Sequence, residues 1–264
     1  MSITIKSRAE IDKMSRAGSI VYETLRLISS NIIPGVPTGL LNDIAESYIY
    51  RKRATPSFKG YNGFPKSICI SINDVVIHGI ASKERLCDGD IVSVDVGAQF
   101  EGYHADAART FACGRISPES QRLIDVTKQS FYKALLFMKE GNRVSDISKA
   151  IQQHVEDNGF SVVRQYCGHG IGKDLHEAPE IPNYVDMQRI DGSARLYAGM
   201  TLAVEPMVNM GRPDVYVMRD KWTVLTCDAK RSAHYENTVL ITKDKPIILT
   251  EDLPHMYGSI IPEM

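Results

Sequence analysis

The stretch from Ile91 to Thr110, IVSVDVGAQFEGYHADAART, places the hardest constraint on the fold, because two strand-like runs each carry one aspartate. In the first run Ile91, Ser93 and Asp95 alternate with Val92, Val94 and Val96, so Asp95 lies on the face away from the valines. The second run carries Asp106, and the turn between the runs falls in Gln99-Phe100-Glu101-Gly102. A loop centred between Phe100 and Glu101 sets Asp95 directly opposite Asp106, with Cβ atoms roughly 5 Å apart, where like charges repel. A three-residue loop with a bulge at Gly102 would instead send them to opposite faces, unless a second bulge restores the register. Two bare aspartates at that spacing are a defect. Two aspartates clamping a cation are a site.

Other acids share the difficulty. Glu205 in LAVEP lies inside an apolar strand pattern, and Glu236 enters the apolar run Asn237-Thr-Val-Leu-Ile241. A buried carboxylate costs several kcal/mol unless it is paired or holds a metal, and the local sequence of these strand faces offers no Lys or Arg, so a charge partner would have to come from a distant residue. Met200 to Met207 places Thr201, Ala203, Glu205 and Met207 on one face, and Ser232 to Thr242 places His234, Glu236 and Thr238 on one face. His169 sits in Cys167-Gly-His-Gly-Ile-Gly172, where glycines permit tight turning beside a crowded site. GHGIG lacks the spacing of a phosphate-cradling loop. His78 and His176 also close β-type segments next to chain reversals. Four carboxylates with one imidazole make a ligand set for two divalent cations, with a bridging hydroxide between ions about 3.5 to 4 Å apart. Oxygen-rich ligation with one imidazole suits Mn, Fe, Co or Zn, and the lack of cysteine ligands disfavours structural zinc.

The remaining chain supplies a scaffold. Ser7 to Glu10 reads as a capping box opening a helix with Ile11, Met14, Gly18, Val21, Leu25 and Ile28 along its inner stripe. Pro34-Gly35 ends that helix. Thr38 is the expected cap of a second one, with Leu41, Ile44, Ala45, Tyr48 and Ile49 inward. Ser117-Pro118 opens a third helix to about Met138, and a fourth follows Glu140-Gly141 to about Asn158-Gly159. Aligning Gly35 with Gly141 matches Leu41 to Ile147, Ala45 to Ile151 and Ile49 to Val155, a weak internal repeat. The expected fold class is α+β, with helices backing a curved antiparallel sheet. We expect one catalytic domain over residues 1–250, its halves about 1–110 and 111–250, followed by a surface tail at 251–264.

At 264 residues, 43% apolar, 24% charged and net charge −1, the chain carries no charge signature for nucleic-acid or membrane-surface binding. Five scattered cysteines without a CxxC argue against a disulfide framework and for a reducing compartment. No apolar stretch resembles a signal peptide or a membrane span. A cytoplasmic monomer is expected.

The blocks YNGFPKSICISINDVVIHGI, VDVGAQFEGYHADAARTF, CGHGIGKDLHEAPEIPNY, GMTLAVEPMV and WTVLTCDAKRSAHYENTVLIT resemble, in order, the signatures of type I methionine aminopeptidases. The resemblance implies the pita-bread fold, a pseudo-twofold α+β arrangement. It also implies that Asp95, Asp106, His169, Glu205 and Glu236 ligate two metal ions, with Asp106 and Glu236 bridging them. Asp95 would complete one ion's shell, and His169 with Glu205 the other's. The implied reaction is hydrolysis of the N-terminal methionine of nascent proteins, favoured by a small second residue, through a metal-bridging hydroxide. Glu205 would carry the proton, His176 would hold the carbonyl oxygen, and His78 would contact the scissile amide. The free α-amine at the metal end would limit cleavage to one residue. Phe58, Tyr61, Phe64, Cys69, Leu175 and Trp222 fall where the family has its methionine pocket. Departures from the pattern are Leu175 for phenylalanine, a larger Phe58, Ala105 for glycine, His234 for glutamine and Asn237 for histidine. N-terminal peptides are the expected partners, with the ribosome a candidate partner. An X-Pro aminopeptidase or prolidase, and a metal-free peptide-binding protein on the same fold, are the competing readings.

Overall fold

The computed structural model describes residues 3–185 and 193–252. Most of the tail expected at 251–264 lies outside these residues. Four helices carry the apolar stripes. α1 (Arg8–Ser29) opens on the Ser7–Glu10 capping box, with Ser7 N–H donating to Glu10 Oε2 at 2.7 Å. α2 (Thr38–Arg51) buries Leu41, Ala45 and Ile49, while Ile44 and Tyr48 are only half-buried. Its cap residue is Pro37 rather than Thr38, whose hydroxyl instead accepts from Ser82 N–H at 2.9 Å and so anchors a loop. α3 spans Pro118–Leu135 and α4 spans Val144–Asp157.

Among the described residues all strand pairs are antiparallel and fall into four sheets. The long hairpin Ile91–Phe100 and Tyr103–Ala112 leads the first sheet, joined by Cys69–Ile72 and Thr55–Pro56. A five-stranded sheet contains Cys167–Gly170, Glu177–Pro182, Thr201–Val204, Asn237–Leu240 and Ile247–Ile248. The strand expected over Ser232 to Thr242 is broken. Ser232–His234 pairs with Met207–Asn209 in one sheet, and Asn237–Leu240 pairs with Thr201–Val204 in another.

The internal repeat is present in the geometry. The starts of α2 and α4 (38 and 144), the short strands at 55 and 161, and the isolated bridges of Pro37 with Arg85 and Arg143 with Arg195 correspond. Gly35 N–H donates to Leu86 O and Gly141 N–H to Leu196 O, and both glycines have φ of 89°. Farther on, Gly89 corresponds to Gly199, and Asp95 to Glu205. One apolar core packs α1 and α2 against the long hairpin, and a second packs α3 and α4 against Thr201–Val204 and its neighbours.

The two halves meet through backbone. Glu236 N–H donates to Ala108 O at 2.9 Å. Thr238 Oγ1 accepts from Asp106 N–H and donates to Asp106 O, both at 2.9 Å.

Candidate metal centre

The hairpin turn is centred on Glu101-Gly102, one residue later than expected, and Phe100 pairs with Tyr103. Positive φ at both turn residues, 47° and 82°, is the twist that suits a two-residue loop between right-handed strands. Asp95 therefore lies opposite Ala108, and Asp106 opposite Gly97. The shift moves the register by two, so both carboxylates stay on one face as diagonal rather than direct neighbours.

The other ligand candidates arrive at the same face from the second half. Val204 pairs with Asn237, so Glu205 and Glu236 stand just beyond that pair at the same end. His169 pairs with Ala203 and Glu180. The glycines beside it lie in the strand rather than in a turn. A Cβ on Gly168 would meet Ala203 O at 2.4 Å, and one on Gly170 would meet Ala178 O at 2.2 Å. They allow close strand approach, not a reversal.

Ligand atoms of Asp106, His169 and Glu236 lie within 4.8 Å of one another. Asp106 is 4% exposed and Glu236 2%. Asp95 Oδ1, Asp106 Oδ1 and Glu236 Oε1 are buried with no hydrogen-bond partner. His169 Nε2 is 3.6 Å from Glu205 Oε1. Burial, reinforced by neighbouring carboxylates, holds Asp95, Glu205 and Glu236 well above the usual carboxylate range, and burial raises Asp106 to about 7. Burial also lowers His169 to about 3, leaving a neutral imidazole with a free lone pair. Crowded acids with orphaned oxygens beside a neutral imidazole fit divalent cations.

The donor set opens into a cavity of about 250 Å³. Its floor is Asp95, Asp106, His169, Glu205 and Glu236, and His78 and His176 also line it. Phe58, Tyr61, Phe64, Cys69, Leu175 and Trp222 line it as well, so the expected residues all share one space. Phe64 meets Trp222 edge-on at 5.1 Å between ring centres. Gly97, opposite Asp106, is hydrogen-sized by necessity, since a Cβ there would stand 2.8 Å from the Phe58 ring. Cys69 pairs with Asp95, and burial pushes its thiol up.

His78 holds a left-handed backbone (φ 58°), a strained conformation for a non-glycine residue, and burial lowers it to about 4. His176 Nδ1 lies 2.7 Å from Tyr61 Oη, and its ring centre is 4.2 Å from that of His169. Asn62 also lines the cavity, in a left-handed turn (φ 48°) beside Tyr61. It was not among the candidates, although Asn62-Gly63 is a turn signal.

Metallopeptidase family M24 matches residues 12–243. A methionine aminopeptidase from Clostridium perfringens is 52% identical over 94% of this chain and 98% of its own length. Methionine aminopeptidase 1 of Bacillus subtilis is 48% identical, covering 94% of this chain and 99% of its own. The crystal structure of a methionine aminopeptidase from Thermotoga maritima superposes with a TM-score of 0.92 at 42% identity, over 95% of this chain and 100% of that one. A prolidase from Pyrococcus furiosus, at 21% identity and TM-score 0.75, shares the pita-bread fold over 66% of its length. A family match across most of the sequence, joined to a buried acid cluster that fits metal, places this chain in metallopeptidase family M24.

Proposed function

We infer that the chain is a metal-dependent methionyl aminopeptidase that removes the initiator methionine from proteins and peptides. The observation that carries this reading is the continuity of the acid–imidazole cluster with a small aromatic-walled cavity. At about 250 Å³ the cavity is below the usual 300–1,000 Å³ of ligand pockets, which suits one flexible apolar side chain and the backbone at its root. Near full-length identity to methionine aminopeptidases supports the same substrate.

Asp95, Asp106, His169, Glu205 and Glu236 would hold two divalent cations from the Mn, Fe, Co and Zn group. Bound there, the cations would acidify water and polarise the peptide carbonyl. Glu205 would take and return the water proton. The Tyr61 hydroxyl donating to His176 Nδ1 would leave Nε2–H free to hold the carbonyl oxygen as it gains charge. His78, on its strained corner, would contact the scissile amide. Phe64 and Trp222 would enclose the thioether, whose sulfur packs well against aromatic edges. Five unpaired cysteines suit a reducing cytoplasm.

The test is methionine release from Met-Ala-Ser, with and without chelator, beside a peptide carrying proline in second position and no methionine. Release that stops on chelation and returns with Mn, Fe, Co or Zn is expected. Absence of release with all four metals would overturn the reading.

A further inference from the structure

Glu205 stands between two imidazoles. Its Oε1 lies 3.6 Å from His169 Nε2, and its Oε2 lies 3.7 Å from His234 Nε2. His234 is 2% exposed, and its Nε2 has no hydrogen-bond partner among the described residues. An orphaned buried polar atom of this kind costs about 1–3 kcal/mol. The ring therefore needs a partner, and Glu205 Oε2 faces it.

The two sides of that gap differ in freedom. His234 is fixed by its backbone: its N–H donates to Thr110 Oγ1 at 2.9 Å, and that hydroxyl donates to His234 O at 2.9 Å. Thr110 Oγ1 is held in turn by Ser93 Oγ at 2.8 Å. Glu205 follows the end of its strand and keeps a side chain 12% exposed toward the cavity. The carboxylate is thus the less constrained member. A gap of 3.7 Å is beyond hydrogen-bond length, but a small carboxylate rotation closes it, as free enzymes often require.

The internal repeat supports the assignment independently. His234 pairs with Met207 as Asp106 pairs with Gly97, and 97 corresponds to 207 as 95 does to 205. From the same register position one half thus places Asp106 in the cavity and the other places His234 beside Glu205.

We propose that His234 is a positioning residue for Glu205, donating from Nε2–H to Oε2 so that Oε1 stays turned toward His169, beside which a cation would be held. Its consequence for turnover rests on the peptidase reading above, whereas its consequence for metal binding does not. A glutamine at 234 keeps an N–H near the same place, while a leucine fills the space without a donor.

The experiment compares the parent protein with His234→Gln and His234→Leu. It measures calorimetric Mn²⁺ titration of metal-free protein, thermal melting, and kcat and KM on Met-Ala-Ser. The leucine variant should lose about 10–100-fold in affinity for one Mn²⁺ and in kcat, with KM within about twofold. The glutamine variant should stay within about threefold of the parent in both. A leucine variant that melts like the parent and binds Mn²⁺ equally well would overturn the proposal. So would a glutamine variant that falls as far as leucine. If leucine prevents folding, His234→Asn, whose amide is too short to reach Glu205, takes its place with the same expected loss. If the parent itself releases no methionine, the peptidase reading fails, and the Mn²⁺ titration alone decides the role of His234.

Discussion

Asp106 combines three features in one residue. Its backbone is bonded in both directions to Thr238, its Oδ1 has no partner, and burial lifts its carboxyl to about 7. The sign of its pH effect follows. A carboxyl raised in the folded state from 3.8 to about 7 binds protons more tightly when folded, so its contribution to stability falls as pH rises through that interval. Buried histidines act oppositely: His169, lowered to about 3, favours folding as pH rises toward its unfolded value of 6.5. The histidine contribution levels off about one pH unit above 6.5, whereas Asp95, Glu205 and Glu236, also held well above the usual carboxylate range, keep losing theirs. The metal-free protein should therefore lose melting temperature as pH rises beyond about 7.5, and Mn²⁺ should abolish the slope. A flat metal-free profile across that range would contradict the buried-acid account. Asp106→Asn should lose metal and activity together, by at least about 100-fold, since even outer partners of ligands cost 10–100-fold. Above pH 7, where that carboxyl is charged, the same variant removes one crowded charge, so its metal-free form should melt no lower there than the parent's. Trp222→Ala should raise KM for methionyl peptides more than it lowers kcat, because it removes a pocket wall and no donor.

At the scale of elements, strand proximity matters more than side-chain identity. Gly168 and Gly170 let the His169 strand lie close to its neighbours, where any Cβ would enter a facing carbonyl. Gly168→Ala should therefore weaken metal binding and lower stability by about 1–3 kcal/mol, the usual cost of overpacking, read by urea unfolding and Mn²⁺ titration. Retention of both would mean that the strand has slack. The helices were the most legible elements. A capping box and an apolar stripe specify α1 locally, and the match of Leu41, Ala45 and Ile49 to Ile147, Ile151 and Val155 returns as six fully buried residues. The α2 cap was misread, because Thr38 has a better use for its hydroxyl at Ser82 N–H, a contact 44 residues away that no local signal contains. The hairpin centre was misread by one residue, because positive φ at both Glu101 and Gly102 gives a turn whose twist matches the right-handed strands better than a turn starting at Phe100.

At the scale of the molecule, the site exists only where the halves dock. Asp95 and Asp106 come from one hairpin, and His169, Glu205 and Glu236 from the five-stranded sheet or its margin. Thr238 bridges them, and Arg109 reaches from the first half to Glu236 O and Asn237 Oδ1 while covering the Tyr235 ring at 4.2 Å. Thr238→Val would leave Asp106 N–H and O without their partner, at about 1–3 kcal/mol. It should lower the melting temperature and loosen metal without touching a ligand, whereas unchanged Mn²⁺ affinity would show that the halves are held elsewhere. Sequence alone determined the helices and the shared face of the two aspartates, and the resemblance of its signature blocks singled out candidate ligands and pocket residues that the fold brings to one cavity. Those features depend on local periodicity or on residue types whose burial is costly unless they act together. Only the tertiary structure decided which strands pair, that the strand through Glu236 breaks and changes sheets, and that His234 turns its nitrogen toward Glu205. Such choices come from contacts between residues far apart in the chain, where packing and backbone hydrogen bonding outweigh any local preference.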